Sequence, residues 1–192
     1  RELSHRMKNT LAMVQAVVTQ SLRHASDLKD AAHMASSRIQ ALGRAQDVLI
    51  ATDWKTSTVA LVVEASVAPH RDGARRFVVD GPPVQLDASQ AMGLALAIHE
   101  LATNAAKYGA LSNADGTVTI SWNVSGQNGF RLQWHESGGP PVEEPVRRGF
   151  GSKLTERVVP GYFEGSAVLD YAPSGFRYTL DGSLAAILRD QS

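Results

Sequence analysis

The chain has no cysteine among its 192 residues, so neither a disulfide framework nor a thiolate metal site is open to it. That is compatible with a reducing compartment, and the expected location is cytoplasmic. An excess of either charge is also missing. Nineteen Lys and Arg balance nineteen Asp and Glu, which removes the global basic field that nucleic acid or an anionic membrane would need. No run approaches the ~18 apolar residues of a membrane span, so no membrane insertion is expected of this stretch. No charged, apolar, small-residue leader opens the chain either; it starts at Arg1 inside a helical pattern and reads as an excised fragment. What is present is a 43% hydrophobic composition, enough to bury a core in one domain or in two small ones. Charge is uneven along it: residues 1–50 carry seven Lys or Arg against four Asp or Glu, and the remainder twelve against fifteen, which hints at two units.

From Glu2 to about Arg23, Leu3, Met7, Leu11, Val14, Val18 and Leu22 recur at helical-bundle spacing. After a polar break at His24 to Asp27, Leu28, Ala31, Ala35, Ile39, Leu42, Ala45 and Leu49 mark a second, alanine-rich helix. Two helices with a short connection make an antiparallel hairpin whose apolar seam needs a partner, most simply a twin chain. Thr52 to Ser57 is polar and aperiodic and reads as a linker. Beyond it the pattern predicts a helix over about 57–68, strands near 76–80 and 84–86, and a long helix over about 88–108. Strands over 117–124 and 130–134 follow, then a Gly- and Pro-rich loop from Ser137 to Gly151, a short helix to about Val159, and strands near 167–171 and 176–180. Strands and helices are grouped without a regular strand–helix–strand repeat, which favours an α+β layer with mainly antiparallel strands.

Residues 99–112, HELATNAAKYGALS, hold the most informative chemistry. At about 100° per residue, Glu100, Asn104 and Lys107 fall within roughly 60° of one another and form one polar stripe. Leu94, Ile98, Leu101 and Ala105 lie on an apolar face expected to pack on a sheet. Asn104 offers Mg²⁺ a neutral oxygen, Glu100 could polarise a nucleophile, and Lys107 could act as a point charge on phosphate oxygens. The bland alternative is a solvated helix face with an ordinary Glu–Lys contact. His99 points about 100° from Glu100 and could merely buttress the helix.

His5 points roughly 140° from the seam of the first helix, so its imidazole should meet solvent and be free to react. Glu2, three residues earlier, could hold one ring nitrogen while the other attacks; alone, the residue could equally be a solvated surface histidine. Trp134-His135-Glu136 ends a strand and enters the turn Ser137-Gly138-Gly139-Pro140. A carboxylate there could accept a hydrogen bond from an exocyclic amine such as that of adenine, or simply close a hairpin. His135 alternates away from its neighbours and reads as structural. Gly149-Phe150-Gly151-Ser152 leads into a helix whose first N–H groups would favour an anion, with Arg147, Arg148 and Lys153 nearby.

Four blocks in this order, ELSHRMKN at 2–9, HELATNAAKYGALS at 99–112, WHESGGPPV at 134–142 and GFGSKL at 149–154, closely resemble the HWE family of bacterial sensor histidine kinases. The name refers to a histidine in the N box and a Trp-x-Glu in the next block, matched here by His99, Trp134 and Glu136. The resemblance covers nearly the whole chain. It implies a dimerisation and phosphoacceptor helical hairpin over 1–52, then an ATP-binding α/β sandwich of the Bergerat type over 53–192 with a mixed, mainly antiparallel sheet. Position by position it implies His5 as phosphoacceptor, Glu100 as catalytic carboxylate and Asn104 as Mg²⁺ ligand. Lys107, Tyr108, Gly138, Gly149, Gly151 and Ser152 are implied nucleotide contacts, and Glu136 the adenine-recognising acid. Glu136 stands where most histidine kinases have aspartate, one methylene shorter, and Gly139-Pro140 departs from the usual glycine spacing. No phenylalanine box lies between 140 and 149 and the nucleotide lid is short, as is common in the family.

The function implied is ATP- and Mg²⁺-dependent phosphorylation of His5, then transfer to an aspartate of a response regulator receiver domain, by a homodimer joined through the hairpin. Two rivals share the fold. A degenerate kinase could dock a regulator without chemistry, but the chain retains His5, Glu100, Asn104 and both glycine blocks. An ATP-driven clamp could use Glu100 to activate water, but it would need no acceptor histidine on a hairpin.

Overall fold

The structure is a computed structural model that describes residues 2–51, 57–71, 76–145 and 150–185, with backbone placement alone for 2–9, 24, 51 and 150. It opens with the helices α1 (Glu2–His24) and α2 (Leu28–Ala51), connected by a tight turn in which Asp27 Oδ1 and Asp30 Oδ2 accept the N–H groups of Asp30 and Ser26. A two-stranded ribbon of β1 (Ser57–Thr58) and β3 (Gln85–Leu86) flanks α3 (Val59–Val67), which Thr58 caps by accepting the Leu61 N–H at 3.3 Å. Then come β2 (Phe77–Asp80), the long α4 (Ala88–Lys107), β4 (Thr117–Ser125) and β5 (Gly129–Ser137). A helical segment runs as α5 (Phe150–Lys153), a π turn over Leu154–Val158 and α6 (Val159–Gly161), and is followed by β6 (Ser166–Ala172) and β7 (Gly175–Ser183).

The five-stranded sheet has the order β2-β4-β5-β7-β6, with β2 parallel to β4 and every other pair antiparallel. Strict alternation turns Val118, Ile120, Trp122, Phe130, Leu132, Trp134, Tyr178 and Leu180 to one buried face. The register aligns Ile120, Trp134 and Tyr178 across three strands. Helices α3 and α4 cover this face, and α2 lies over both, so the layers are sheet, helix pair and hairpin.

The apolar face of α4 is wider than expected. Every residue from Gln90 to Ala102 is buried, because the helix is clasped between sheet and hairpin. Asp87 caps its start by accepting the Gln90 N–H at 2.8 Å. Its other end stops where the Asn104 carbonyl accepts both the Tyr108 and Gly109 N–H groups.

The seam of α1 is rotated from the one its spacing predicts, whereas α2 keeps most of its predicted seam. Met13, Val17 and Ser21 on α1 and Ala31, Arg38, Leu42, Ala45 and Leu49 on α2 are buried, whereas Leu11, Leu22, Leu28 and Ile39 are exposed. The physical reason is competition between apolar surfaces. The hairpin has turned onto α3 and α4 the side on which Met13, Val17, Leu42, Ala45 and Leu49 join the same core as the sheet, and has left Leu11, Leu22, Leu28 and Ile39 outside.

Candidate functional site

The candidate residues of the long helix share one stripe but not one environment. Glu100 lies on the clasped part of α4, only 6% exposed, whereas Asn104, Lys107 and Tyr108 on its last turn stand in solvent. Arg38 of α2 covers Glu100, whereas the last turn of α4 beyond it is open to solvent.

Glu100 is held by a buried guanidinium. Arg38 donates from Nε to Oε1 at 2.7 Å and from Nη2 to Oε2 at 2.8 Å, and from Nη1 to Ser21 Oγ at 2.9 Å. The Ser21 hydroxyl in turn donates to the Val17 carbonyl at 2.8 Å. Three helices are thus tied at one carboxylate. Beside it, His99 shares a 2.9 Å hydrogen bond between Nε2 and Ser37 Oγ, and its ring centroid lies 6.0 Å from that of His70. Burial holds the His99 imidazole at a pKa of about 4, with the charges of His70, Arg44 and Arg38 adding to the effect and that of Glu100 opposing it. His99 is therefore neutral and joins the hairpin to α4, which gives the N-box histidine a packing task.

Glu136 enters the buried face of β5 two residues beyond Trp134 and is 3% exposed. Its Oε1 accepts the Trp134 indole N–H at 3.0 Å and its Oε2 the Ala110 backbone N–H at 2.8 Å. Burial raises its pKa, and these two hydrogen bonds oppose the rise. Gly109 makes the approach possible: a Cβ there would fall 2.0 Å from Glu136 Oε2. The turn after α4 is anchored by Arg76, which donates to the carbonyls of Ala110, Asn113 and Gly116, and Asn113 Nδ2 donates to the Gly138 carbonyl at 3.0 Å. Gly138 follows β5 in the left-handed region, at φ +72°.

The second glycine block comes to α4 through Gly151. A Cβ there would lie 2.7 Å from Glu100 Oε2 and 3.8 Å from Asn104 Nδ2. Ser152 beside it is half-buried and Lys153 is exposed. Gly149, Arg147 and Arg148 lie outside the described residues, as does the side chain of His5, whose backbone belongs to the first turns of α1. His135 sits half-buried on the opposite face of β5, paired in register with Arg177; burial and that arginine lower its pKa. A cleft of about 500 Å³ opens elsewhere, between α1, the start of α4 and the π turn, lined by Met13, Val17, Met92, Leu96 and Tyr162. Lys153 and Arg157 join its mainly apolar lining, and neither Asn104 nor Glu136 takes part in it.

Sequence reasoning missed Arg38, Ser37 and Arg76. Arg38 left a signal: it stands four residues before Leu42 and seven after Ala31, on a helix whose other residues at this spacing are apolar. A cation in an apolar register asks for a buried anion.

The architecture, a mixed sheet covered by helices with a helical hairpin docked on them, is that of histidine kinase cores. Among solved structures, the Erythrobacter litoralis EL346 blue-light activated histidine kinase superposes with a TM-score of 0.67 at 19% identity, over 96% of this chain and 58% of that one. The histidine kinase domain of the same protein gives 0.62 at 19% identity, over 79% of this chain and 75% of that one. Residues 2–83 match the HWE histidine kinase family. A blue-light-activated histidine kinase of Brucella anthropi is 42% identical over 179 residues, 91% of this chain and 36% of that protein. Its counterpart in Brucella ovis is 38% identical over 91% of this chain and 37% of its own length. Residues 2–83 of this chain thus match the HWE histidine kinases, and nearly its whole length is similar to kinases of that kind. The chain spans little more than a third of the length of these relatives. Among the described residues, no helix is long and apolar enough to cross a membrane.

Proposed function

We propose that this chain is the catalytic core of a sensor histidine kinase, with 1–52 as dimerisation and phosphoacceptor hairpin and 53–192 as ATP-binding domain. The observation that carries the reading is the close approach of Gly151 to both Glu100 and Asn104, which joins the second glycine block to the N box across a long stretch of sequence. The exposed Asn104 offers a hard, neutral oxygen at the rim of that approach, which fits Mg²⁺ holding substrate phosphate and water in the rest of its shell. When bound, the ion would neutralise charge on the phosphate oxygens. Lys107, Tyr108 and Ser152 line the same end of α4 and would position the nucleotide, with Gly138, Gly149 and Glu136 on the adenine and phosphate sides.

In the reaction, a ring nitrogen of His5 forms a bond to the γ-phosphorus as the bond from phosphorus to the ADP oxygen breaks. The proton on the other ring nitrogen passes to a carboxylate, for which Glu100 is the candidate. The receiver domain of a response regulator would then take the phosphoryl group from His5 onto an aspartate. The exposed Leu11, Leu22 and Ile39 supply the apolar surface for a twin hairpin.

With Mg²⁺ and labelled ATP, the wild-type chain should acquire label that is lost in acid and kept in alkali. His5→Ala should bind nucleotide and take no label, and Asn104→Ala should lose labelling with the metal. Label retained in His5→Ala would place the acceptor elsewhere, and normal labelling of Asn104→Ala would remove the metal assignment.

A further inference from the structure

Helix α1 runs alongside α4 in the same direction: Thr10 meets Met92 near the start of α4, and Ser21 reaches Glu100 through Arg38 near its end. His5 lies sixteen residues before Ser21, which at 1.5 Å per residue is about 24 Å of helix axis. In this docked arrangement the acceptor and the carboxylate therefore sit toward opposite ends of α4, and phosphoryl transfer needs reacting atoms about 3 Å apart. What fastens the docked hairpin at the site is specific. Both oxygens of Glu100 are taken by one guanidinium, with both side chains under a tenth exposed.

Resting on the kinase reading above, we infer that Arg38 is a latch: the hairpin itself silences Glu100, and catalysis requires the guanidinium to leave. Three features fit a latch better than a support. The pair joins the two units proposed for the chain, so it must break if either moves relative to the other. Its third anchor, Ser21, lies on α1, the helix that carries His5, so a shift of the acceptor helix acts directly on the guanidinium. And Ser37 with His99 forms a second, uncharged contact one residue away on each helix, so docking has a component separable from the latch. A signal delivered along α1 would reach the carboxylate through Ser21 and Arg38, with the nucleotide contacts on the last turn of α4 left in solvent throughout.

The test compares wild type, Arg38→Gln, Ser21→Ala and Ser37→Ala in three measurements: initial rate of His5 labelling, affinity for a fluorescent ATP analogue, and amide hydrogen exchange over α2. Arg38→Gln should label at least tenfold faster with nucleotide affinity changed less than twofold, and its α2 amides should exchange faster. Ser21→Ala removes one anchor without touching Glu100 and should raise the rate two- to fivefold, which keeps the inference testable if Arg38→Gln folds poorly. Ser37→Ala should loosen exchange with a smaller rise in rate. A fall or no change in labelling in Arg38→Gln and Ser21→Ala, with affinity retained, overturns the latch while leaving the kinase reading intact. Nucleotide binding without label in wild type and every variant overturns the kinase reading, and the latch with it.

Discussion

Trp134 donates its indole N–H to Glu136 Oε1 at 3.0 Å, from two residues back along the same strand and the same buried face. The two residues of the Trp-x-Glu block are thus one unit: alternation puts them side by side, and the indole is one of two donors that make a buried carboxylate tolerable. Trp134→Phe keeps an aromatic ring in the core and removes that donor. A hydrogen bond to a charged group contributes about 1.5–3 kcal/mol, and a loss of that order is expected, added to the smaller ring volume. The sign of its pH dependence follows from the raised pKa of Glu136. A carboxyl raised by folding costs stability as pH rises above its unfolded value and the unfolded chain ionises first. Losing the indole N–H raises it further, so the deficit of Trp134→Phe should be larger at pH 7.5 than at pH 5. Urea unfolding at the two pH values measures it; an equal deficit would remove the hydrogen bond as its cause.

His99 gives the opposite slope. Its folded pKa of about 4 lies below the ordinary 6.5, so the neutral folded form contributes stability that is full above pH 6.5 and is lost as pH falls towards 4. The whole shift corresponds to about 3 kcal/mol. His70 is shifted in the same direction by burial and by Arg44. His99→Gln should flatten the loss between pH 6.5 and 5 relative to wild type, read from denaturation midpoints. If the wild type and the variant lose stability in parallel over that range, the buried neutral imidazole is not what titrates.

Both hairpin helices, the long helix and the strand grouping were legible because hydrophobic spacing is a local property of the chain. Positions 88–107 and 117–125 show this well: an aliphatic period near 3.6 gives way to strict alternation. What spacing could not supply was which face meets which neighbour. Leu11 and Ile39 have the periodicity of a core and are exposed, because the hairpin turned another side to α3 and α4. The same limit hid a difference along the polar stripe: a helical wheel puts Glu100 and Asn104 together, and only tertiary packing, with Arg38 over Glu100, buries one while the other stays in water. The Trp-x-Glu pair was readable as a motif, whereas its bond to Ala110, 26 residues earlier, was a tertiary fact.

Gly151 is the position where a single methyl group should matter. Its Cβ would stand 2.7 Å from Glu100 Oε2, an oxygen that cannot easily move because Arg38 holds it. Gly151→Ala should therefore push the glycine block off α4, with at least a tenfold loss of labelling and about 1–3 kcal/mol of stability. Gly43 in α2 is the internal contrast. A Cβ there meets nothing within 4 Å, so Gly43→Ala should stabilise by about 0.5–1 kcal/mol through helix propensity. Urea unfolding of the two variants reads opposite signs; a stable, active Gly151→Ala would show that the block does not need its close approach.

Glu100 and Asn104 should both be essential for labelling, yet their effects on folding should differ sharply. Asn104 is exposed, and Asn104→Ala should change stability by no more than about 0.5 kcal/mol. Glu100→Ala removes the carboxylate that accepts from two nitrogens of the buried Arg38 guanidinium, a loss of about 3–5 kcal/mol in which the broken charge pair outweighs the missing methylenes. The two causes can be separated by exchanging both partners. Arg38→Met combined with Glu100→Met removes the charges and keeps most of the volume, so stability should return to within about 1 kcal/mol of wild type while labelling stays absent. If the double variant is as unstable as Glu100→Ala, packing around the pair, and not its charge, is what holds the hairpin to the long helix.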